Sequence, residues 1–182
     1  TTIYKSMKEE GKLSAPVADW PTKRRWADYA FSELENAGYT VTSAYTAVKD
    51  PEATKFVYRD RLWTGADMVS LGVASFGHLG GIHYQNLVHI DDYIKKIEEG
   101  GAPVRRALLT TEEERFIREL ILQFKLGRVN LGYFRDKFGE KVEERFSEIL
   151  ADLEQLGDLS REGDELVLTR EALLRVDSIL HR

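Results

Sequence analysis

The chain has 182 residues, 42% hydrophobic and 31% charged, with a formal charge of −5, a profile that suits one globular domain or two small ones and offers no global attraction to nucleic acid or an anionic membrane. No window approaches the roughly 18 apolar residues of a membrane span and no signal-peptide pattern opens the chain, so the expectation is a cytoplasmic protein with neither a membrane nor a nucleic-acid partner. Cysteine is absent, which excludes disulfides, thiolate nucleophiles and any iron–sulfur cluster held by thiolates of this chain.

The first residues, Thr1-Thr2-Ile3, carry no methionine and read as the middle of a longer protein. A polar run from Met7 to Lys12 and then Pro16 and Pro21 predict an irregular lead-in over 1–21. From Thr22 to Ala37 the residues Trp26, Ala30, Leu34 and Ala37 recur at helical spacing and predict an amphipathic helix stopped by Gly38. Tyr39 to Tyr45, aromatic and β-branched, reads as a strand entered directly from that helix, an α/β unit. Met68 to Val73 reads as a second strand, followed by a loop holding Gly77, Gly80 and Gly81. A short helix from Ile90 to Glu99 ends at Gly100-Gly101, and Pro103 marks a connection to a different pattern.

The remainder is mostly helical. Thr111-Glu112-Glu113-Glu114 fits a capping box ahead of the apolar stripe Phe116, Ile117, Leu120, Ile121 and Phe124. Helices follow over Leu131–Phe138 and Glu140–Leu156, then a hairpin about Glu162-Gly163-Asp164, then a last helix capped by Thr169. Three helices, a hairpin and a helix make a winged-helix topology, which raises the question of DNA. The candidate recognition helix, 140–156, sets six carboxylates against the two bases Lys141 and Arg145, and phosphates repel such a surface. A helical module packed on its own chain is the better reading.

Chemistry-bearing groups are sparse. The segment Leu71 to Gly81 follows a strand, where glycine lets backbone approach a ligand, but its spacing fits neither a dinucleotide nor a P-loop fingerprint. His78, His83 and His89 do not share a helix face, and no carboxylate cluster joins the first two, so no metal site is expected. No nucleophile, base and orienting group come together. The residues alone offer a ligand-loop candidate and no catalytic residue.

In order along the chain, Gly38-Tyr39 entering a strand, Arg61-Leu62-Trp63-Thr64-Gly65, Leu71-Gly72-Val73-Ala74-Ser75-Phe76, Tyr84-Gln85-Asn86, Asp92-Tyr93-Ile94 and Leu168-Thr169 resemble the C-terminal half of the oxygen-independent coproporphyrinogen III oxidase family. Ser70, Gly77 and Leu62 depart from the usual pattern. The resemblance implies an α+β fold: residues 1–104 as the terminal α/β edge of a partial (β/α) barrel, and 105–182 as a winged-helix-like helical domain. It implies S-adenosylmethionine and a 4Fe-4S cluster in the intact protein, the cluster on a cysteine triad absent here, and radical chemistry on a porphyrin-like substrate. Haem chaperones and anaerobic haem-degrading enzymes are relatives within that family; a stand-alone winged-helix binding module is the reading from another class. The resemblance places Leu62, Trp63, Val73, Ala74 and Phe76 beside the cofactor and Tyr84 and Asn86 at the substrate. Strands 39–45 and 67–73, cut from a barrel, would leave an open edge, and a homodimer through that edge is expected.

Overall fold

The computed structural model describes residues 2–12 and 17–181, so Pro16 of the expected lead-in lies outside the described residues. Ahead of it stands α1 (Thr2–Glu9), a helix rather than irregular chain. No glycine or proline interrupts that stretch, and Ser6 Oγ donates to Glu10 Oε1 at 2.6 Å across one helical turn.

α2 (Trp20–Asn36) begins where Asp19 accepts from Thr22 N at 2.8 Å, with Pro21 in its first turn, and closes before Gly38 at φ +83°. The expected inward stripe is not inward: Trp26 and Leu34 are exposed, and no residue of α2 is buried. The helix docks by another face. Arg170 donates to Asp28 and Glu35, at 3.0 Å each, with its guanidinium over the Phe31 ring.

The strand expected over 39–45 is a hairpin, β1 (Thr40–Ser43) and β2 (Thr46–Val48), paired antiparallel. Tyr45 sits in the turn, where its N–H donates to Ser43 Oγ at 3.1 Å. After α3 (Val57–Trp63), the strand expected at 68–73 does not form; Met68 makes an isolated bridge with His78 and the chain then turns through Gly72 and Ala74, both at positive φ. The glycine segment expected as a loop instead begins a second hairpin, β3 (Phe76–Leu79) and β4 (Ile82–Asn86). At Gly77 a Cβ would run into the Tyr84 ring paired across from it, so that ring can lie flat on the strand only because no side chain is there.

α4 (Ile90–Glu98) leads to β5 (Val104–Leu109), which pairs with β4 in a three-stranded sheet of order β3-β4-β5. The chain at 104–109, expected as a connection, is therefore a strand of that sheet, and a division at 104/105 would cut it. The described pairings are all antiparallel, so the parallel barrel edge expected for 1–104 is represented by none of them.

From Thr110 onward the elements are α5 (Glu112–Phe124), β6 (Arg128–Asn130), α6 (Leu131–Phe138), α7 (Val142–Arg145), α8 (Ser147–Gln155), β7 (Leu159–Glu162), β8 (Glu165–Leu168), α9 (Arg170–Leu174) and α10 (Val176–Ile179). The helix expected over 140–156 is broken at Phe146, whose φ of −113° and ψ of 27° leave the helical well. β6 joins the β7–β8 hairpin in a sheet of order β6-β8-β7. Caps set the boundaries. Thr111 and Glu114 close the expected capping box, Asn130 accepts from Tyr133 N at 2.8 Å, Gly139 ends α6 in the left-handed conformation, and Thr169 caps α9.

The buried apolar cluster belongs almost wholly to this second part. Phe116, Leu120, Phe124, Val129, Leu131, Phe134, Val142, Leu150 and Leu166 sit at its centre, while before residue 110 Val48 alone among the described large hydrophobics is buried. The β3–β4–β5 sheet leaves Phe76, Leu79, Leu108 and Leu109 exposed, and α4 leaves Ile90, Ile94 and Ile97 exposed along one stripe.

A candidate ligand groove between α3 and α5

α3 lies across α5, and between them runs a groove of about 490 Å³ lined by Leu62, Trp63, Glu114, Ile117, Arg118, Ile121 and Leu122. The volume is in the range of small-molecule sites, and the lining is chiefly apolar with two charged groups. Arg59 packs over the Trp63 ring, 5.5 Å from its centroid, and holds the indole at the groove end of α3.

The last turn of α3 is fixed from below. Thr64 O accepts from Lys137 Nζ at 2.9 Å and lies 3.0 Å from Tyr133 Oη; Lys137 also bonds the buried carboxylate of Glu119, to which the Tyr133 hydroxyl donates its one proton. Burial first, then the hydrogen bond to Glu119, pushes the Tyr133 phenol well above its ordinary range, so it stays a donor. Gly65, at φ +81°, passes directly over that carboxylate, where a Cβ would collide with it.

Beside the groove stands the β3–β4 hairpin. His78 and His83 face each other with ring centroids 4.3 Å apart, and His78 Nδ1 is buried with no hydrogen-bond partner. Burial is the main cause lowering both imidazole pKa values; for His78 the neighbouring His83 comes next and then Arg118, and for His83 Arg118 comes next. Both are neutral at physiological pH. His89 is apart from them, at the N-cap of α4, and no group of three His, Cys, Asp or Glu that could hold a metal ion occurs among the described residues.

The residues singled out from the sequence do not share one pocket. Leu62 and Trp63 line the α3–α5 groove; Phe76 and Tyr84 line a separate shallow depression with His83, Gln85, Arg106, Ala107 and Leu108. Val73 and Ala74 lie in the turn between them. Asn86, 2% exposed, spends its amide on Ser70 O (3.3 Å) and Gly72 O (3.0 Å), and Tyr84 Oη accepts from Ser70 N at 2.9 Å. Both residues thus shape the 70–74 turn. Of the α5 wall, Ile117 and Ile121 were expected only as part of an apolar stripe, and Arg118 and Leu122 were not singled out; an arginine set within that stripe was the available signal.

No family model matches the chain. It is 23% identical over 174 residues to the haem chaperone HemW of Bacillus subtilis, covering 95% of this chain and 45% of that one. It is 28% identical over 120 residues to the oxygen-independent coproporphyrinogen III oxidase of Pseudomonas aeruginosa, covering 62% of this chain and 25% of that protein. The chain thus spans less than half the length of the curated relatives it matches. Its fold is similar to that of the coproporphyrinogen III oxidase HemN of Escherichia coli, described as a radical SAM enzyme, with a TM-score of 0.66 at 16% identity over 85% of this chain and 39% of that one. The chain is homologous to part of the oxygen-independent coproporphyrinogen III oxidase-like proteins, the family its ordered motifs resemble.

Proposed function

We propose that this chain is the part of a radical S-adenosylmethionine protein that walls and covers a porphyrin-binding site, and that it carries no catalytic group itself. The observation that carries the reading is the largely apolar α3–α5 groove at the Leu62–Trp63 pair, which the family resemblance puts beside the cofactor and so next to the substrate. The names of the relatives, which concern haem and coproporphyrinogen, support the ligand class. Oxidative decarboxylation of coproporphyrinogen III is the corresponding reaction of the whole protein, with haem carriage or haem degradation as the alternative.

The residues present do not fit a 4Fe-4S cluster, since the chain has no thiolate. Adenosylmethionine is a different matter. The turn at Val73 and Ala74 and the exposed ring of Phe76 offer an edge and a flat apolar face suited to an adenine. Tyr84 and Asn86 would act by holding that turn in shape. The 110–181 unit, with its β6-β8-β7 sheet and flanking helices, is read as the winged-helix-like cover. The exposed sheet and α4 stripe are read as the faces against which a barrel packs, and the open edge of β5 as the route to self-association in its absence.

The test is a titration of the chain with coproporphyrin III followed at the Soret band, beside anaerobic reconstitution with iron and sulfide. A saturable one-to-one Soret shift and a colourless desalted protein are expected. No Soret shift, or a stoichiometric brown protein, contradicts the reading.

A further inference from the structure

We propose that Arg118 is an anion anchor: the α3–α5 groove takes a ligand combining an apolar body with a carboxylate, and the Arg118 guanidinium receives that carboxylate. The inference rests on the groove reading above and names the chemistry of its ligand.

Arg118 is half-buried on the groove wall, yet its hydrogen bond to Leu62 O is a long one, 3.4 Å, and that oxygen already accepts from Gly65 N at 3.2 Å. It makes no ion pair among the described residues. Several other partly buried arginines do: Arg59 meets Asp60, Arg135 meets Asp164, Arg170 meets Asp28 and Arg175 meets Asp158. A guanidinium presents five donors and cannot shed its charge at any ordinary pH, so burying one without a counter-charge is costly unless a ligand supplies it.

Of the neighbouring carboxylates, Glu119 attracts Arg118 electrostatically without forming an ion pair with it. Glu119 holds Lys137 and Tyr133, and Glu114, on the groove rim, accepts from Thr111 N at 2.8 Å and Thr111 Oγ1 at 3.1 Å in the capping box. Arg115, one turn before Arg118, likewise has no ion pair among the described residues, and its guanidinium lies against Gly81 at the β3–β4 turn. The two neutral imidazoles beside them add no negative charge. The result is an apolar groove with a guanidinium on its wall that no ion pair occupies, matched to a carboxylate through the planar fork of arginine.

The test uses this chain and calorimetric titration with 2-naphthoate, its neutral isostere 2-naphthamide, coproporphyrin III and the tetramethyl ester of that porphyrin. Arg118→Met should bind naphthoate at least about tenfold more weakly while naphthamide binding is unchanged, and Arg118→Lys should fall between. Arg118→Gln repeats the comparison should Arg118→Met fail to fold. Equal naphthoate affinity in the wild type and in a folded variant, or no naphthoate binding at all, overturns the inference. Porphyrin binding that ignores Arg118 also overturns it while leaving the proposed function intact. Arg118-dependent naphthoate binding without porphyrin binding supports the anchor and removes the porphyrin.

Discussion

Lys137 meets both carboxylate oxygens of Glu119, at 2.9 Å each, one turn of α6 away from the Tyr133 hydroxyl that bonds the same carboxylate. The pair is unequal: the Glu119 side chain is 3% exposed and that of Lys137 is 38% exposed. Lys137→Met therefore strands a buried negative charge, whereas the double variant Lys137→Met, Glu119→Leu removes both charges and leaves Tyr133 bonded to Thr64 O. The single change should cost about 2–3 kcal/mol, toward the low end for a broken buried pair because the lysine is partly hydrated, and the double variant should recover part of it. Urea unfolding of the four proteins of the cycle measures this; a double variant less stable than Lys137→Met contradicts it.

Phe76 and Phe116 separate site from core. Phe76 is 61% exposed at the start of β3; Phe116 is 1% exposed, with its ring 5.2 Å from that of Phe134 and 5.4 Å from that of Phe138. Phe116→Ala should cost about 3–5 kcal/mol, while Phe76→Ala should move the thermal midpoint by no more than a few degrees. Calorimetric melting checks both. A large loss at Phe76 would make it a packing residue and remove it from the proposed adenine face.

The histidine pair predicts an acid-sensitive hairpin. Folding lowers both pKa values below the ordinary 6.5, so near that pH the unfolded chain binds more protons than the folded one. Stability is thus full above about 6.5 and falls as pH drops below it, until the folded imidazoles also protonate. Facing the pair are Arg118, Arg115 and Glu114 of α5 and Asp67 before β3; the arginines and the second imidazole oppose protonation, and Asp67 and Glu114 only partly offset them. The midpoint measured from pH 7.5 to 5 should decline more steeply in the wild type than in His78→Gln. Parallel profiles would mean that this pair does not set the slope.

Elements bounded by local chemistry were legible in the sequence. The capping box at Thr111 and Glu114, the bounds of α6 at Leu131 and Phe138, the Glu162-Gly163-Asp164 turn and the Thr169 cap each depend on residues close along the chain, and each is found. The segment 68–73 was not legible, because side chains far along the chain decide it: Tyr84 and Asn86 take the backbone groups of Ser70 and Gly72 that a strand neighbour would have used. β5 was hidden for the opposite reason. Val-Arg-Arg-Ala-Leu-Leu has no alternation, and the strand is exposed along its whole length. Leu62 and Trp63 line the groove, whereas its α5 wall was expected only as an apolar stripe, since a stripe wide enough to serve two faces looks like one.

Amide hydrogen exchange with and without coproporphyrin III reports whether ligand enters between α3 and α5. Exchange should slow over Val57–Gly65 and Glu112–Phe124, with the amides of α8 and the β7–β8 hairpin unchanged. Protection confined to α8 and β7–β8, or none anywhere at saturating porphyrin, would contradict it.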